Sequence, residues 1–160
     1  MENDKALRDR LIYSLQGKGA HVNFDQAVKN LPKELRGKRV PNGPYTTWQL
    51  VEHLRRTQFD ILDFSRNPNY KELEWPKDYW PEEDAPPDDA AWENSIKAFQ
   101  RDLQELQDLV ADPKNDLFAK IPHGNGQTLL REAILVIDHN AYHIGELVLL
   151  RKLMGAWPVK

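Results

Sequence analysis

His139 and His143 stand four residues apart in Asp138-His139-Asn140-Ala141-Tyr142-His143. On a helix such a pair lies about 40° apart around the axis and ~6 Å along it. Both imidazoles then face one way and can grip a single ion, as the paired histidines of helical zinc sites do. The metalloprotease motif HExxH needs a glutamate after its first histidine. Asn140 stands there, which excludes that chemistry. A helical wheel groups His139 and His143 with Leu135, Val136, Leu147, Leu150 and Met154. Glu132 and Glu146, seven residues to either side of His139, fall on the same face. Two readings stand for an inward pair: hydrogen-bonded core histidines, or ligands of one ion that satisfies both rings.

A third ligand must come from another helix. His53 lies at the edge of an apolar stripe beside Leu50 and Phe64, so it either reaches a neighbouring helix or faces solvent. His21 follows the Gly17–Gly19 turn and is either a neighbour of the site or a surface residue. His123, in a glycine-rich loop, is expected to be exposed. The chain has no cysteine, so a metal site must draw on His, Asp or Glu, and no thiol nucleophile or disulfide is available.

The elements that must position these residues read as helices. Leu7, Leu11 and Leu15 give a helix from about Asp4 to Gln16, ended by Gly17. A short helix follows, with Phe24, Ala27, Val28 and Leu31 on one face and Pro32 as its stop. Thr46 and Gln49 form a capping box for a second long helix, which runs to about Arg66 and stops at Asn67-Pro68. Residues Glu72 to Asp89 hold eight acids and four prolines, which forbid a helix. Trp75, Tyr79 and Trp80 in that loop argue against disorder and predict rings packed onto the bundle. Asp88 or Asp89 caps a third helix that ends at Asp112-Pro113, and a fourth spans about Thr128 to Met154. The expected fold is all-α: a four-helix bundle, residues 1–160 as one domain, with an extra short N-terminal helix and a long aromatic, acidic loop between long helices 2 and 3.

The formal charge of −3 and a pI near 6.0 give no general attraction to nucleic acid or to anionic membrane. Met1 to Arg10 is charged, unlike a signal peptide. Asp138, His139, Asn140 and Arg151 interrupt the longest apolar stretch, which argues against a membrane span. A cytoplasmic protein is expected.

The chain resembles the DinB/YfiT-like superfamily of bacterial four-helix-bundle proteins. The resemblance rests on His53 in Leu50-Val51-Glu52-His53-Leu54 and on the run Asp138-His139-Asn140-Ala141-Tyr142-His143-Ile144-Gly145-Glu146-Leu147. It extends to a DinB-like subgroup through Gly19-Ala20-His21, Trp48, Tyr79-Trp80-Pro81, Pro122-His123-Gly124, Leu130-Arg131-Glu132 and Gly155-Ala156-Trp157. Glu146 stands where many relatives carry Gln. The resemblance implies a metal site of His53, His139 and His143 holding one divalent transition-metal ion, zinc, nickel or iron-like, with water in the open positions. It does not imply one activity: relatives include small-thiol transferases, a thiol-dependent isomerase and metal-dependent hydrolases without a known substrate.

Three neutral ligands leave an ion its full charge and an open position, the arrangement of a catalytic site. Such an ion lowers the pKa of bound water towards ~7, or takes a small thiol as its thiolate. Glu132, Glu146 and Asp60 are candidate proton acceptors. The alternative is a non-catalytic bundle that uses the metal for stability or for binding a small ligand. Leu130, Ile134, Ile137, Ile144 and Val148 lie opposite the histidine face. A helix apolar all round is buried on all sides, so either the short helix covers this face or a second subunit does. A homodimer is expected.

Overall fold

The computed structural model describes residues 2–158 of the chain; Met1, Val159 and Lys160 lie outside it. Among the described residues the helices are α1 (Glu2–Leu15), α2 (Phe24–Val28), α3 (Thr47–Arg66), α4 (Asp89–Ala111) and α5 (Leu129–Leu153), with a 3-10 turn at Lys33–Leu35. There is no named strand among them, as expected of an all-α chain.

The helix starts follow from their caps. Thr46 Oγ1 accepts from the Gln49 amide while the Gln49 side chain accepts from the Thr46 amide. Asp88 caps α4 and Thr128 caps α5. Gly17, at φ +64, takes the left-handed turn after α1 that other residues resist. Asn23 and Gln26 form a second capping box on α2, which the sequence reading does not include.

α3 packs against α4 and α5, and α1 closes the other side against the same two helices. Two apolar clusters fill the bundle. One joins Phe24, Trp48, Leu54, Trp92, Phe99 and Leu147; the other joins Leu11, Leu15, Leu62, Leu106, Val110 and Val136. Arg8 clamps α1 to the end of α4, donating to the carbonyls of Val110, Asp112 and Asn115 at 2.7, 3.1 and 2.8 Å.

α1 and α2 both pack on α5. Of Leu130, Ile134, Ile137, Ile144 and Val148, Ile134 alone is exposed, at 51%. By length and composition α5 is long and apolar enough to cross a membrane, contrary to the sequence expectation. It is the bundle's core helix, and its buried Glu132, Asn140 and Arg151 are hydrogen-bonded inside the protein.

The segment between α3 and α4 is strapped across the N-terminal half of α3. Thr46 Oγ1 donates to the Asp84 carbonyl at 2.6 Å, and Arg39 and Gln49 both reach the Asp84 carboxylate. Gly37 permits this approach, since a Cβ there would sit 2.4 Å from that of Ala85. Trp80 stacks on Tyr45 at 4.2 Å between centroids. Tyr79 anchors through its hydroxyl, which donates to Asp60 at 2.7 Å. Trp75 departs from the expectation of packed rings and stays 66% exposed.

Candidate metal centre

His53 is 2% exposed, so it is not the edge residue that the helical wheel suggests. The wheel sees one helix and not the strap laid over it. Trp80 stacks on the His53 ring at 3.8 Å and 6°, taking one whole face. Trp75 is left only an edge, at 6.3 Å and 70°, which explains its exposure. The Tyr79 carbonyl lies 3.1 Å from His53 Nδ1.

α5 brings His139 and His143 to the same point. His53 Nε2 lies 3.1 Å from His139 Nε2 and 3.2 Å from His143 Nε2. The three rings form the single group of metal-capable ligand atoms found among the described residues. The Nδ1 atoms determine what the Nε2 atoms can do. A carbonyl only accepts, so His53 Nδ1 carries the proton and donates to Tyr79. His143 Nδ1 lies 2.7 Å from Glu146 Oε2 and donates to that carboxylate. With each ring in its neutral form, both Nε2 atoms are bare lone pairs, and at 3.2 Å they face each other without a proton between them. A proton on His139 Nε2 can satisfy His53 and leaves His143 unsatisfied. A cation among the three nitrogens satisfies them all. Metal–nitrogen bonds of roughly 2.0–2.1 Å on one ion set neighbouring nitrogens roughly 3.0–3.4 Å apart, as His53 Nε2 stands from each of its two partners.

Burial holds the His53 pKa down at about 3, with His139 and His143 adding to it against the Tyr79 hydrogen bond. Burial, then His143, holds His139 at about 4. Both rings are thus neutral near pH 7, the form in which imidazole binds metal.

The sequence model of the DinB superfamily matches residues 16–147, most of the chain and all three histidines. The chain belongs to the DinB superfamily. No curated protein and no solved structure matched it. In this DinB-superfamily bundle the three histidines are those on which the sequence resemblance rests, one from α3 and two from α5.

The other sequence candidates separate. Glu146 orients His143 directly. Glu132 lies two helical turns before His139, accepts from Arg131 at 2.8 and 3.0 Å, and lines a different cavity with Asp60. Asp60 accepts from Tyr70 at 2.8 Å and from Tyr79 at 2.7 Å. His21 is exposed and its Nδ1 lies 2.7 Å from the Val22 carbonyl, on a side of the bundle away from the histidine cluster. His123 is exposed as expected, with Nε2 2.8 Å from the Phe64 carbonyl.

Three contributors escape sequence reasoning. The Tyr79 group is a main-chain carbonyl, which leaves no mark in the sequence. Trp80 is visible as an aromatic in the loop, but nothing local tells which ring covers the histidine. Glu52, beside His53, is buried under Arg55, Arg56 and Ser95, with Ser95 Oγ donating at 2.6 Å. Burial opposes its ionisation, and the hydrogen bonds from Arg55 and Ser95 outweigh it, holding the carboxyl at about 2.

Proposed function

We propose that the chain is a metal-dependent enzyme, a hydrolase or a transferase acting on a small thiol. Its ion is a divalent transition metal, zinc, nickel or iron-like, held by Nε2 of His53, His139 and His143. The observation that carries this reading is the facing pair of bare nitrogens on His53 and His143, 3.2 Å apart. When bound, the ion supplies a Lewis acid of undiminished charge, able to lower the pKa of water or of a thiol.

The chain's own groups do the rest. The Tyr79 carbonyl and the Glu146 carboxylate hold the Nδ1 protons, which fixes both tautomers and aims the free nitrogens inward. Glu146 is the carboxylate placed to take a proton beside the site. Tyr142, 65% exposed, lies edge-on to His143 at 4.9 Å, and the Glu146 charge, then its hydrogen bond, raises the phenol's pKa. A separate polar cleft of about 580 Å³ is lined by Tyr79, Asp60, Arg131 and Leu135, and by none of the three histidines. The thiol branch of this reading requires a reducing compartment, the cytoplasm.

A second reading is favoured by the depth of His53. An ion that ties α3 to α5 beneath Trp80 could serve stability alone. Elemental analysis tests what both readings share. The purified chain is expected to carry one divalent ion, and His53→Ala and His143→Ala to lose it. Unchanged metal in both variants overturns both readings. Chelation then separates them: an enzyme loses turnover of ester, amide or thiol-acceptor substrates, whereas a structural site loses only thermal stability.

A further inference from the structure

The strap between α3 and α4 carries two tryptophans with opposite fates. Trp80 lies flat against the His53 ring and also stacks on Tyr45. Trp75 is the most exposed large hydrophobic side chain among the described residues, at 66%. Its place is nonetheless beside the histidine cluster, where the indole meets the His53 ring at 6.3 Å and 70°.

That exposure does not come from a loose backbone. Glu74 N–H donates to Asp78 Oδ2 at 2.8 Å, and Asp78 N–H returns to the Glu74 carbonyl at 2.9 Å. The Tyr79 and Trp80 amides both donate to the Pro76 carbonyl, at 3.1 and 3.2 Å. Trp75 thus stands on a closed turn. The Tyr79 ring, tied to Asp60 through its hydroxyl, supports the indole at 5.4 Å between centroids. The protein holds a large apolar ring in place and leaves most of it in water, which hydration disfavours. A ring that served only to cover the cluster would lie flat on it, as Trp80 does. An exposed apolar surface beside a binding centre marks a contact for something else. An indole stacks on flat rings with a gain beyond the area buried, and a fixed turn lowers the cost of ordering it.

We propose that Trp75 is a substrate-contacting residue, selecting molecules whose metal-binding group carries a flat aromatic ring one or two bonds away. This rests on the metal reading and adds the shape of the substrate next to the ion.

Acetohydroxamic and benzohydroxamic acid present the same metal-binding head, without and with a ring. Each is titrated calorimetrically into the full-length chain reconstituted with zinc and, separately, with nickel. Wild type, Trp75→Ala and Trp75→Phe are compared, with metal content and helical circular dichroism measured for each. Trp75→Ala is expected to bind benzohydroxamate about threefold to tenfold more weakly than the wild type. Acetohydroxamate affinity, metal content and helicity are expected to stay the same, and Trp75→Phe to recover most of the loss. Equal weakening of both probes would make Trp75 a support for the ion and overturn the proposal. So would an unchanged benzohydroxamate affinity in Trp75→Ala, or a metal-bearing wild type that binds neither probe. Each of these leaves the metal reading standing, whereas a wild type that takes up neither ion overturns that reading and this inference together.

Discussion

Two buried glutamates in this bundle shift in opposite directions, and the difference lies in their partners. Burial disfavours the charged form of both. Glu52 is surrounded by Arg55, Arg56 and the Ser95 hydroxyl, and their hydrogen bonds lower its pKa in spite of burial. Glu132, 1% exposed, has only the half-exposed Arg131, so burial prevails and its pKa rises, with Asp60 adding repulsion. A carboxyl with a raised folded pKa contributes fully below its unfolded value and loses that contribution as pH rises through the folded one. Glu132→Gln removes this dependence. The urea midpoint of the variant relative to the wild type should therefore increase as pH rises through and above the ordinary carboxylate range. A difference that stays constant across that window would show that Glu132 titrates normally. At this scale the sequence revealed the inward glutamate but not its charge state. Arg131 is a sequence neighbour, whereas the distance of other donors is a tertiary fact.

The helix boundaries near the site come from short-range chemistry and were legible. Thr46 with Gln49 caps as expected and Asp88 rather than Asp89 caps α4, while Thr128, expected as the first residue of its helix, is the cap of α5; a cap needs only residues within one turn. The strap between α3 and α4 was legible as a non-helical aromatic segment and no further. Its course depends on Asp84 meeting Arg39, Gln49 and Thr46, residues far away in sequence. Thr46 belongs to both levels, since it caps α3 and donates to the strap. Thr46→Val should cost about 1–2 kcal/mol of stability, read from urea or thermal unfolding. It should also speed proteolysis within residues 72–88 more than elsewhere. A stability loss with no change in the cleavage pattern would mean that the strap is held independently of α3's cap.

At the scale of the molecule, α5 carries the most varied burden. It contributes two histidines, the core residues Val136 and Leu147, and Asn140 at a cavity edge. α1 and α2 cover much of the face whose apolar residues suggest a second subunit. We propose that a homodimer forms instead through the solvent-facing side of α5, where Ile134, Leu149 and Leu153 remain exposed. Sedimentation velocity should show a concentration-dependent dimer, reduced to monomer by Leu149→Asp combined with Leu153→Asp. A wild type that stays monomeric at high concentration removes this proposal.

The sequence by itself determined the helices, their caps and the pairing of His139 with His143, because helical periodicity and four-residue spacing act within a few turns. It also carried the motifs by which the superfamily is recognised. Only the tertiary structure decided that His53 is buried, since α5 and the strap enclose it from opposite directions. It also decided that Tyr79 and Glu146 hold the Nδ1 protons, which is why the histidine cluster has the chemistry of a metal site. Helix-wheel reasoning grouped the two histidines on α5; only the packing of α3 against α5 brought the third nitrogen within 3.2 Å of both.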